Sequence, residues 1–188
     1  MDGTFFGIQL VVNPPPGDPF PSEMERLIKY SPADQTLADK RVLYTNLSNT
    51  LKRVLPSAVR GYWDLIRETA KAQQEFDSWC GEIETTMRDG APFGGTFRTP
   101  ADKHFIVTVA FLVQKGSNSD LTLGDRCDIP EPFYFTRATF TRLIDTLPML
   151  NFATVAGDAI YMVPGPSGVG PSTQELDGEG YQYLKPLS

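Results

Sequence analysis

The sequence has only two cysteines, Cys80 and Cys127, and a single histidine, His104. Two thiols so far apart lack metal-ligand spacing and fall short of the density of a secreted disulfide scaffold. The expected setting is therefore a reducing, intracellular one: cytoplasm or, in a eukaryotic source, plastid stroma. Basic runs are missing too. None is longer than Lys40-Arg41 or Lys52-Arg53, and 17 Lys and Arg against 23 Asp and Glu leave a net charge of -6. A nucleic-acid footprint needs a clustered positive face, so no such partner is expected. The longest apolar run, Phe105 to Val113 with Thr108 allowed, has about half the roughly 18 residues a spanning helix needs, so no integral membrane segment is expected. No basic flank precedes Phe5, and no signal or transit peptide is visible.

What is present suffices for one core. With 188 residues, 40% of them hydrophobic, the chain is expected to form a single domain over 1–188. Phe5 to Val12 is rich in strand formers and stops at Pro14-Pro15-Pro16. Ser22-x-x-Glu25 is a capping-box signature before Met24, Leu27 and Ile28. Val42, Leu43, Leu47, Leu51, Val54 and Leu55 keep helical spacing up to Pro56. From Val59 the stripe Tyr62, Trp63, Ile66, Ala70, Phe76, Trp79, Cys80, Ile83 and Met87 predicts one helix of roughly 30 residues, about 45 Å long, with Gly61 and Gly81 as possible bends.

Beyond the glycine-rich stretch 90–95 the composition shifts to β-branched and aromatic residues. Phe105 to Val113 reads as a central strand. Leu121 and Leu123 suggest a short strand, Thr136 opens a helix, and Phe152 to Val163 reads as a bent strand or a hairpin. The fold predicted is α+β: a helical N-terminal half to about residue 90, with a long helix, packed on a small mixed sheet drawn largely from about 95–163, and a Pro/Gly-rich tail over 164–188.

The C-terminal half, with the apolar strand His104 to Gln114, the helix ending at Leu147-Pro148, the strand Ala159 to Pro164, Ser172-Thr-Gln-Glu-Leu176 and Tyr183-Leu-Lys-Pro-Leu187, resembles an uncharacterised family of cyanobacterial, plastid and other bacterial proteins. Its members often carry a Gly-rich stretch and a membrane anchor, both lacking here. They also have a Leu-Trp-Thr-Pro-Gln unit where Tyr161-Met-Val-Pro-Gly165 stands. The resemblance implies an α+β domain with a non-catalytic role, and it carries over no catalytic, cofactor or metal residue.

Gly165 to Thr173 has the pattern G-x-x-x-x-G-K-[ST] of a phosphate-binding loop, with Pro171 in place of its lysine. That substitution removes both the charge that reaches the outer phosphates and one backbone donor, so nucleotide binding is not expected. Trp79-Cys80-Gly81-Glu82 starts like a thioredoxin-type site but has no second cysteine. A Cys80–His104 nucleophile and base pair has no local support. Asp120, Asp125, Asp128 and Glu131 fall in what reads as one acidic loop, without the alternation of a calcium loop. Phe133, Tyr134 and Phe135 could line a groove, although core packing is the commoner use of such rings.

The expected function is a non-catalytic accessory or assembly domain that binds another protein or a larger complex. Tyr161, Tyr181, Tyr183, Leu184 and Leu187 are the candidate partner-binding residues, and no catalytic, cofactor or metal residue is assigned. The alternative is a small-ligand binder or enzyme with a pocket between helix and sheet, using Cys80 or His104.

Overall fold

The computed structural model describes residues 2–29, 35–88, 104–164 and 170–188, and for 82–88 the backbone alone. Its framework is a sheet of β1 (Gly3–Val12), β2 (Ala58–Ile66), β3 (Phe105–Gln114), β4 (Val155–Val163) and the two-residue β5 (Lys185–Pro186), in the order β4-β3-β1-β2-β5. Every neighbouring pair is antiparallel. The helices are α1 (Phe20–Lys29), α2 (Leu37–Val54), α3 (Thr69–Arg88), α4 (Asn118–Arg126), α5 (Arg137–Thr146) and the single turn α6 (Thr173–Leu176).

Alternation along the strands sends side chains to two covered faces. Phe6, Ile8, Leu10 and Val12 of β1, with Phe105, Val107, Val109 and Phe111 of β3, meet α1, α2 and α5 in the main core. The opposite parity carries Phe5, Ala110 and Leu112 against Ala72, Phe76 and Trp79 of α3. On the same face, Val11 and Ile106 pack under Leu176 and Leu184 of the tail. Covering on both sides explains why β3 reads as an unbroken apolar run. Among the described residues no helix is long and apolar enough to cross a membrane.

Two features of the predicted architecture are corrected. The sheet is antiparallel throughout, not mixed. The helices are also spread along the chain, so there is no helical N-terminal half packed on a later sheet: β1 and β2 both lie before residue 67, and three helices follow β3.

The predicted 30-residue helix is two elements. Its first part is β2, and only Thr69–Arg88 is helical. Val59, Tyr62, Trp63 and Ile66 have spacings of three and four, but in a strand packed on both faces apolar residues of either parity find contacts, Trp63 on the main core and Tyr62 and Ile66 on the opposite face, and the two patterns coincide. Gly61 does not bend a helix; it leaves room for the Phe140 ring, which a Cβ would meet at 2.5 Å.

Leu121 and Leu123 lie in α4, not in a strand. Ser117 caps that helix by accepting from the Asp120 N–H, and of the two leucines only Leu123 is buried. The first helix begins at Phe20, whose N–H donates to Asp18 Oδ1 at 2.8 Å, while Ser22 lies inside it. Phe152 to Val163 is one 3-10 turn followed by one strand, without a hairpin.

Candidate functional site

The tail is fastened to this chain's own sheet. Leu184 is buried with Val11 and Ile106, and Tyr181 packs beside them. Leu187 reaches the main core, and its N–H donates to Val59 O at 3.1 Å. Arg137 N–H donates to Ser188 O at 3.0 Å, and Arg60 Nη1 donates to Leu176 O at 2.8 Å. Of the five candidate partner-binding residues, Leu184 is thus spent on the protein's own core, and Tyr161, Tyr181 and Leu187 are partly buried. Tyr183 remains 40% exposed.

The phosphate-loop look-alike has a structural explanation where it can be seen; 165–169 lie outside the described residues. A Cβ on Gly170 would run into the His104 carbonyl oxygen. His104, only 4% exposed, donates from Nδ1 to Pro171 O at 3.0 Å. Ser172 and Glu175 then form a capping box at the start of α6. Glycine, proline and serine at these positions serve the close approach of the tail to β3.

Of the four acidic residues only Asp128 lies in a loop. Asp120 lies in the first turn of α4 with both oxygens engaged: Thr4 Oγ1 donates to Oδ1 and Gly116 N–H to Oδ2, each at 2.9 Å, and Arg67 Nε stands 3.3 Å from Oδ1. Asp125 is on the same helix, and Glu131 begins a 3-10 turn. Among the described residues no group of three His, Cys, Asp or Glu side chains could hold a metal ion. Tyr134 and Phe135 pack on the main core, and the Tyr134 carbonyl accepts from Trp63 Nε1 at 2.9 Å. Phe133 is 56% exposed. Cys80 is half-buried on α3, and Cys127 follows α4.

A groove lies between α3 and the sheet, and neither Cys80 nor His104 lines it. It encloses about 250 Å³ and is lined by Gln9, Tyr62, Asp64, Glu75, Ser78, Trp79 and Tyr183. β1 supplies Gln9, β2 Tyr62 and Asp64, α3 Glu75, Ser78 and Trp79, and the tail Tyr183. α3 and the tail cover the two ends of this sheet face, and the groove is the gap they leave. Close approach of α3 depends on Gly7, which is in register with Ala110 and Asp64 and leaves space for the Trp79 indole.

Three aromatic rings form its walls. The Tyr62 and Tyr183 centroids are 5.5 Å apart at 85°, and those of Tyr62 and Trp79 are 6.2 Å apart at 38°. Asp64 accepts the Leu65 N–H at Oδ1 (2.8 Å) and the Tyr62 hydroxyl at Oδ2 (3.3 Å). Neither Asp64 nor Glu75 has an ion-pair partner among the described residues. Gln9 Nε2 donates to Thr108 Oγ1 at 3.2 Å, which leaves the buried Gln9 Oε1 without a donor. Burial, then the charge of Asp64 and its hydrogen bond, and then Glu75, push the Tyr62 hydroxyl up to about 12. The phenol therefore stays neutral at ordinary pH.

The chain matches no family model, no curated protein and no solved structure.

Proposed function

We propose that this chain is a non-catalytic recognition domain that binds another protein, and that the groove between α3, β2 and the tail is where it does so. The observation that carries the reading is the wall of Tyr62, Trp79 and Tyr183 around hydrogen-bonding groups. Tyrosine and tryptophan supply a large contact area at small entropic cost and dominate protein-binding hot spots. At about 250 Å³ the groove lies below the usual range of small-ligand pockets and suits one side chain of a partner. The enzyme alternative has less support, because neither Cys80 nor His104 lines the groove.

The test is a panel of short peptides of basic, acidic and neutral apolar sequence, titrated into isotopically labelled protein while amide shifts are followed. The reading predicts that at least one peptide moves the resonances of Gln9, Tyr62, Asp64, Glu75, Trp79 and Tyr183 as one saturable set. Shifts confined to another surface, or none with any peptide, would refute it.

A further inference from the structure

The groove is acidic as well as aromatic. Two carboxylates line it, Asp64 and Glu75, and no lysine, arginine or histidine does so among the described residues. An ammonium group beside a carboxylate gains a charge-assisted hydrogen bond, and within about 6 Å of a ring centroid it gains attraction to the aromatic face. Carboxylate acceptors discriminate among cations: a quaternary ammonium has no hydrogen to offer them, whereas a primary ammonium has three.

Resting on the recognition role proposed above, we infer that the groove takes the protonated side chain of a lysine on the partner protein. The aliphatic stem lies along the aromatic walls of Tyr62 and Trp79, as long amphipathic side chains do. The ammonium is held by Asp64 and Glu75. Tyr183, partly exposed at the edge, leaves the opening through which a tethered side chain can enter. The overall charge of -6 favours encounter with a basic partner.

The experiment is calorimetry with a five-residue peptide bearing one central lysine between glycines, its N-acetyl-lysine counterpart, its trimethyl-lysine counterpart and free butylamine. The lysine peptide should bind, the acetylated peptide should not, and the trimethylated peptide should bind more weakly. Glu75→Gln and Asp64→Asn, which keep shape and remove charge, should each weaken the lysine peptide roughly tenfold or more, as loss of a charge-assisted contact does. Their melting curves should remain close to the parent's. Equal binding of the lysine and acetylated peptides leaves the groove as a recognition site and overturns the choice of a cation. Trimethyl-lysine binding as tightly as lysine overturns the primary ammonium. Butylamine binding as tightly as the lysine peptide overturns the tethered source. No binding by any of the four overturns the inference, while the recognition role falls only if the acidic and apolar peptides of the panel above also fail.

Discussion

The indole of Trp79 occupies the space above Gly7: a Cβ built there would lie 2.5 Å from the ring. Phe5, two residues earlier on the same face, meets Trp79 edge-on with centroids 5.1 Å apart. One glycine in the central strand therefore fixes how closely α3 lies on the sheet and where a groove wall stands.

Gly7→Ala should displace the indole or lift α3, because the Phe5 ring, 2.7 Å from the new atom, blocks the other side. Overpacking of this kind costs about 1–3 kcal/mol. Urea denaturation should show that loss, and peptide binding in the groove should weaken with it. Unchanged stability and binding would mean that Trp79 is not held in this way.

Gly170→Ala tests the structural account of the phosphate-loop look-alike. The added methyl meets the backbone oxygen of His104, which cannot swing aside as a side chain would. A loss of about 1–3 kcal/mol is expected, with faster amide exchange over 176–187 and no heat from magnesium and ATP for either protein. Heat of nucleotide binding in the parent that is abolished in the variant would restore the nucleotide reading.

Removal of everything after Val163 strips Leu176 and Leu184 from Val11 and Ile106, and takes away β5. Two buried leucines alone account for about 3 kcal/mol or more, so the truncated chain should melt at a clearly lower temperature. In the intact isolated protein the Leu187 amide, bonded to Val59 O, should be slow to exchange. Rapid exchange there with no partner present would show that the tail docks elsewhere.

Stability should fall in alkali. Burial pushes the Cys127 thiol up to about 12 from an ordinary value near 9, against the opposing pull of Arg142 and Arg67. A raised folded-state value means that the native protein keeps its proton while the unfolded chain has lost it. The contribution is complete below pH 9 and is lost as pH rises from 9 towards 12, by up to about 1.4 kcal/mol per pH unit. Urea midpoints across this range should fall less steeply for Cys127→Ala than for the parent. Parallel slopes would contradict a buried, neutral thiol.

The parts of this fold legible in the sequence are those where one signal dominates. Proline runs and unbroken apolar stretches placed β1 and β3, and α2 and α5 followed from helical spacing. Sheet order and β2 were hidden, because burial on both faces erases the alternation that identifies a strand, and antiparallel pairing depends on contacts distant in the chain. The groove was mostly invisible for a similar reason: its residues come from β1, β2, α3 and the tail, and of them only Tyr183 was singled out for binding. One signal was available. Gln9 is the only side chain with a polar head group in the run Phe5 to Val12, and a polar residue in a central strand needs a partner.

Trp63 is held in the core by its hydrogen bond to Tyr134 O, so Trp63→Phe leaves Trp79 as the one tryptophan and as a reporter inside the groove. Fluorescence of this variant, titrated with the lysine peptide, is the most direct measurement of whether the groove is the recognition site. The account predicts a saturable change in Trp79 emission whose midpoint matches calorimetry and which the acetylated peptide does not produce. Binding heat without any change in Trp79 emission would place the partner elsewhere and contradict it.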